Sequence, residues 1–224
     1  MIPSPLQRLR LSLLLGGWVA ALLAVRIALS GSGFGLFLPW NLFLAAVPLA
    51  ASTALVQLDA RGARPAALLA LGAVWLLFLP NAPYILTDLV HLEERPGAPF
   101  WYDLALLLSA AGTGLLAAYV SLADIQAVLT RRRGAPAAWA VSVGVLFLSA
   151  FGIYLGRELR WNSWDVLTAP GALLADIASR VLDPLAHPMT VVMTVVFGGM
   201  LTLGYVALRA LVSPAPARPT GSSR

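Results

Sequence analysis

Six runs of apolar residues, each long enough to cross a bilayer, set the terms for any fold this chain can adopt. They fall at about 11–29, 36–58, 66–89, 102–129, 137–156 and 189–211. A hydrocarbon core about 30 Å thick takes roughly 20 residues of helix. Backbone polar groups inside lipid must be satisfied within the chain, which leaves helices or a closed barrel. The runs are continuous rather than alternating, which argues against a barrel. Charged residues make up 11% of the chain, about half the share of a soluble domain. The expected fold is an all-α membrane protein, a polytopic bundle of six transmembrane helices forming a single domain over 1–212. The tail at 213–224, rich in Pro and Ser, is expected to be a disordered cytoplasmic extension. The N-terminal run continues past the length of a secretory signal and is read as an uncleaved first span.

Arginine placement orients the bundle. Every basic residue is Arg. Arg8 and Arg10 precede span one, Arg61 and Arg64 join spans two and three, and Arg131, Arg132 and Arg133 join spans four and five. Arg209, Arg218 and Arg224 close the chain. With six spans all of these fall on one side, and Arg95, Arg157, Arg160 and Arg180 fall on the other. The positive-inside rule then makes both termini cytoplasmic. The arginines are scattered at span ends and form no face for nucleic acid. With no Cys there is no disulfide, thiolate metal site or cysteine nucleophile.

The segment between spans five and six carries a helical pattern. Leu173, Leu174, Ile177, Val181 and Leu182 fall on one face, and Asp176, Arg180 and Asp183 fall opposite. This predicts an amphipathic helix resting on the outer interface.

Threading gathers the polar residues on the outer side. Span three, FLPNAPYILTDLVHL (78–92), is broken by Pro80 and Pro83 and resumes with polar groups. Asn81, Tyr84, Asp88 and His91 are spaced by three, four and three, one stripe of an α-helix. Ionisable groups at membrane depth are costly and point to a site. Asn81 is a candidate N-cap for a helix restarting inside the membrane, and such a start attracts anions. The bland alternative is a stripe that only packs the bundle. FLPWN (37–41) faintly echoes FLPN (78–81) at the outer ends of adjacent spans.

Asp88 and His91 are also the candidate catalytic pair, His91 exchanging a proton and Asp88 orienting it. Together they could supply two metal ligands, with a third from Glu93, Asp103, Glu158 or His187. No zinc-type motif completes such a set, and no metal or cofactor is assigned. In RELRWNSWD (157–165), Arg157 and Arg160 share a helix face and suit a phosphate or carboxylate. Alternatively Trp161 and Trp164 anchor the interface while the arginines pair with Asp88 or Asp103. Arg26, near the outer end of span one, either snorkels or pairs with an acidic neighbour. Asp124, near Arg131–Arg133, reads as an ion-pair or end-cap residue. Gly112 and Gly114 suit close packing of span four.

WNLFLAAVPL (40–49), WLLFLPNAPYILTDLVHL (75–92), WYDLALLLSAAGTGLL (101–116) and FGIYLGRELRWNSWD (151–165) resemble a bacterial integral-membrane family, domain of unknown function 1361. The resemblance implies a six-span protein of the bacterial inner membrane and no particular activity.

The expected site is an outward pocket formed by Asn81, Tyr84, Asp88, His91, Asp103, Arg157, Arg160, Asn162 and Asp165. Its expected ligand is anionic or a lipid headgroup, and membrane lipids are the expected partners. An enzyme on lipid-linked substrates and a small-solute transporter using the broken span are the alternatives.

Overall fold

A computed structural model describes residues 5–212; the expectation for the tail at 213–224 lies outside them. Six helical stretches are long and apolar enough to cross a membrane, and the chain is a multi-pass membrane protein. The spans are α1 (Pro5–Ser30), α2 (Leu38–Ala60), a composite third span, α5 (Phe100–Arg133), α6 (Ala135–Glu158) and α9 (Pro188–Val212). The third span comprises α3 (Pro65–Phe78), α4 (Asn81–Tyr84) and a 3₁₀ helix (Ile85–His91). Two further helices, α7 (Asp165–Thr168) and α8 (Pro170–Leu182), lie between α6 and α9. The end of the bundle where α1 begins and α9 finishes is called the terminal end; the opposite one is the distal end.

The α5 helix is the hub. It packs against α1, α2, α4, the 3₁₀ helix and α6, while α3 leans on α2 and α9 leans on α6. Small side chains make this possible: Ala110, Ala111 and Ala118 of α5 are buried beside Leu106 and Leu107. Gly114 is the tightest point, where an added Cβ would stand 2.3 Å from the Ala82 carbonyl oxygen. Gly112, expected to share this role, has nothing within 4 Å. Small residues at such positions let helix backbones approach where lipid offers no hydrophobic drive.

Buried ion pairs tie the long helices together. Near the distal end, Arg26 Nε donates to Asp103 Oδ1 at 2.6 Å and Nη2 donates to Oδ2 at 3.1 Å. Near the terminal end, Arg8 Nη2 donates to Asp124 Oδ1 at 2.7 Å, and Ser52 donates to Asp124 Oδ2 at 2.9 Å. Asp124 thus does form an ion pair, but with α1 rather than with the Arg131–Arg133 cluster. Arg131 and Arg132 instead bind Asp59 of α2. They sit on helix, not in a loop, because α5 continues to Arg133 and Gly134 alone turns the chain into α6. Gly134 has φ 86 and ψ 163, a region essentially confined to glycine, which costs a Cβ-bearing residue about 1–3 kcal/mol.

The third span breaks for a local reason. Pro80 and Pro83 have no N–H, so the carbonyls of Leu76 and Leu79 lose their usual partners four residues on. The Ala82 N–H turns to Leu79 at 3.2 Å, a three-residue bond. Asn81 does not cap the new helix. Its amide donates backward to the Phe78 carbonyl at 2.9 Å and sideways to Ser163 Oγ at 2.8 Å. The Leu79 carbonyl thus regains a donor from Ala82, Asn81 serves the Phe78 carbonyl that Ala82 has left, and the Ser163 hydroxyl donates to the Leu77 carbonyl at 3.1 Å.

Candidate functional site

The change from α-helix to 3₁₀ helix redirects the polar stripe. Asn81 and Tyr84 lie on α-helix, whereas Asp88 and His91 lie where the chain turns about 120° per residue. Residues three apart then eclipse, so His91 stands above Asp88, and Asp88 is about 120° round from Tyr84. The stripe expected from α-helical spacing therefore splits in two. Asn81 and Tyr84 face a cavity; Asp88 and His91 do not line it.

That cavity has a volume of about 520 Å³ and sits at the distal end, between α2, the third span, α6 and α8. Its lower walls are Ala73, Leu76 and Leu77 of α3 and Leu148, Phe151 and Leu155 of α6. Its upper rim is polar: Asn41, Asn81, Tyr84, Trp161, Asn162 and Ser163. The Tyr84 hydroxyl makes no hydrogen bond among the described residues. Two glycines of α6 bring the broken span close. A Cβ on Gly152 would lie 2.7 Å from Pro80 Cγ, and one on Gly156 would lie 3.3 Å from the Tyr84 ring. Leu173 and Ile177 of α8 cover the rim.

The other predicted residues are placed around this rim or away from it. Asp88 is buried and accepts from Asn41 Nδ2 at 2.8 Å, so Asn41 links the carboxylate to the cavity wall. Asp88 and His91 make no hydrogen bond with each other. The His91 ring lies beside Phe37, with Nε2 3.4 Å from Arg157 Nη1. Arg157 and Arg160 form no ion pair among the described residues; Asp88 is held by Asn41 and Asp103 by Arg26. The two arginines flank cavity-lining Gly156 and Trp161 in the chain. Arg160 is exposed and takes φ 62, the left-handed region, as the chain leaves α6. Asp103 is not brought to the cavity, because the α1–α5 interface consumes it.

Asp165 also turns away from the cavity. Its carboxylate accepts the Asn162 N–H at 2.7 Å and the Thr168 hydroxyl at 2.9 Å, closing the short α7 turn. The backbone bond from Asn162, then the Thr168 hydroxyl, holds this carboxyl below its ordinary pKa. Among the described residues, no three of His, Asp and Glu come together as a metal set would require.

The expected amphipathic helix is present as α8, but its apolar face is divided. Leu173 and Ile177 turn into the cavity, while Leu174, Val181 and Leu182 remain exposed. Asp176, expected on the outward polar face, receives a hydrogen bond from Trp161 Nε1 at 2.8 Å and pairs with Arg180. Asn41, Trp40 and Ser163 join the site without having been predicted for it. The echo between FLPWN and FLPN was the available signal: Asn41 and Asn81 line the same cavity.

A family described as protein of unknown function (DUF1361) matches residues 40–203. The chain belongs to it. The match runs from the rim residue Trp40 through the broken span, the hub and the α7–α8 segment into α9, so it covers the whole cavity. No curated protein and no solved structure matches the chain.

Proposed function

We propose that this DUF1361 protein binds an anionic, lipid-like ligand at the distal rim, and that the distal end is extracytoplasmic. The observation that carries the reading is the state of Arg157 and Arg160. Among the described residues neither guanidinium forms an ion pair, and both arginines flank the cavity-lining Gly156 and Trp161 in the chain, while Asp103 is taken by Arg26 and Asp88 accepts from Asn41. Guanidinium groups bind phosphate and carboxylate through two parallel hydrogen bonds, and such charge-assisted bonds are stronger than neutral ones. The free Tyr84 hydroxyl and the Asn162 amide add neutral groups on the same rim. The ligand class follows from the combination of unpaired cations, neutral polar rim and apolar walls.

Arginine distribution supports placing the terminal end in the cytoplasm, and the family resemblance is what suggests a bacterial inner membrane. Enzymatic use of Asp88 and His91 has less support, since His91 is not oriented by Asp88. A transporter has less support too, because the cavity belongs to the distal half and α1, α2 and α5 are tied together at the terminal end by Arg8, Ser52 and Asp124.

Native mass spectrometry of the purified protein tests the reading. Anionic lipid should co-purify with wild type and fall by about tenfold in Arg157→Ala/Arg160→Ala, the loss expected for charged hydrogen bonds. Arg180→Ala, whose arginine is already paired with Asp176, should retain it. Equal retention in all three proteins would remove the rim arginines from ligand binding.

A further inference from the structure

The cavity is deeper and drier than a headgroup site requires, and its walls stand at membrane depth. Leu148 to Gly156 spans nine residues of α6, eight helical rises or about 12 Å along the helix. One leaflet of hydrocarbon is about 15 Å deep. The crevice therefore runs through most of the distal leaflet. Several of its wall residues are accessible, Leu76 at 36%, Leu77 at 37% and Leu148 at 49%, and Leu69, one turn below Ala73 on the same face of α3 and outside the cavity lining, is 74% exposed, so that face of α3 opens outward. Ala73, lower on α3, is exposed as well. Residues that both line a cavity and face lipid mark a sideways opening. α3 leans on α2 and α6 leans on α5 and α9, which leaves the wedge between α3 and α6 for an occupant.

We infer that this wedge holds one hydrocarbon chain of a bilayer lipid, admitted sideways from the distal leaflet. The choice of a bilayer lipid over a soluble amphiphile rests on the opening, which faces the membrane rather than water. Its volume of about 520 Å³ is within the usual range of small-molecule sites, about 300–1,000 Å³. A chain seated there displaces no polar contact, because the hydrogen-bonding groups are confined to the rim. The same lipid's headgroup then meets Arg157 and Arg160, so the identity of the headgroup rests on the function proposed above, while the chain site stands on the crevice alone. Gly152 and Gly156 are part of the device: they seat Pro80 and Tyr84 against α6 and close the back of the wedge.

Photolabelling in lipid nanodiscs tests this. The probes are phosphatidylglycerol and phosphatidylcholine, each carrying a diazirine midway along one chain. Labelled peptides from 73–77 and 148–155 should exceed those from the lipid-facing α9 stretch 191–203 several-fold. Ala73→Trp, which fills the wedge from an exposed position, should remove that excess and leave α9 labelling unchanged. A crevice labelled no more than α9 in wild type overturns the inference without recourse to any variant; so does an excess that survives Ala73→Trp in protein shown to be folded. Equal crevice labelling by the two lipids upholds the chain site and overturns the anionic headgroup. Loss of phosphatidylglycerol preference in Arg157→Gln/Arg160→Gln, with crevice labelling retained, upholds both. Label confined to rim peptides 156–163 overturns the chain site and leaves the headgroup reading in place.

Discussion

Arg26 is wholly buried, and it is answered by an equally buried carboxylate, Asp103, in a two-pronged ion pair. Removing one partner of such a pair strands the other in a medium that cannot solvate it, at a cost of about 3–5 kcal/mol. Arg26→Met is therefore expected to lower thermal stability in detergent sharply. Arg26→Met with Asp103→Leu should recover most of the loss; a double variant as unstable as the single one would contradict the pairing account. Arg160 presents the opposite balance. Its left-handed backbone costs about 1–2 kcal/mol that glycine would not incur. Arg160→Gly should unfold at a higher temperature while losing anionic lipid, and a gain in both properties would separate Arg160 from the ligand. From the sequence, Arg26 was recognisable as a charge needing company near a span end. Asp103 was not recognisable as its partner, since it lies 77 positions away and the choice depends on how α1 and α5 dock.

At the scale of elements, the third span shows how far spacing alone carries. Pro80 and Pro83 announce a break in any helix, because neither can donate to the turn before it. The form taken after the break was less legible: a 3₁₀ helix rather than an α-helix follows Tyr84, and the polar stripe divides accordingly. The broken segment depends on Gly114, where the Ala82 carbonyl crosses α5. Gly114→Ala is expected to cost about 1–3 kcal/mol, toward the upper value because backbone cannot yield as a flexible side chain can. Gly112→Ala, in open space on the same helix, should instead gain up to about 1 kcal/mol from helix propensity. Matched thermal denaturation of the two variants checks the contrast. The α7 turn carries a pH signature of its own. Because Asp165 has a lowered folded pKa, its stabilisation is present above the ordinary value of 3.8 and is lost as pH falls below it toward the folded value. Hydrogen exchange of residues 165–169 should therefore lose protection in that acid window, and Asp165→Asn should abolish the change.

For the whole molecule, the six spans and the unequal arginine content of the two ends make a topological prediction. A reporter fused after Val212 should read as cytoplasmic, and one inserted at Gly97 should read as extracytoplasmic. The reverse result would invert the proposed orientation and place the cavity in the other leaflet. The sequence alone determined the helical class, the number of spans and the location of the break, because each follows from local rules. Apolar runs must be helical in lipid, spanning length is set by bilayer thickness, and proline lacks a donor wherever it stands. It also pointed to the distal end as the place where polar chemistry collects. Only the tertiary structure decided which polar groups are spent on the fold and which remain available. Asp103 and Arg26 meet inside the α1–α5 interface, Asn41 takes Asp88, and Arg157 and Arg160, next in the chain to crevice-lining residues, form no ion pair among the described residues. The reason is that burial and pairing depend on which helices touch, and in a bundle whose spans are all apolar that choice turns on a few glycines and the charges they allow to meet.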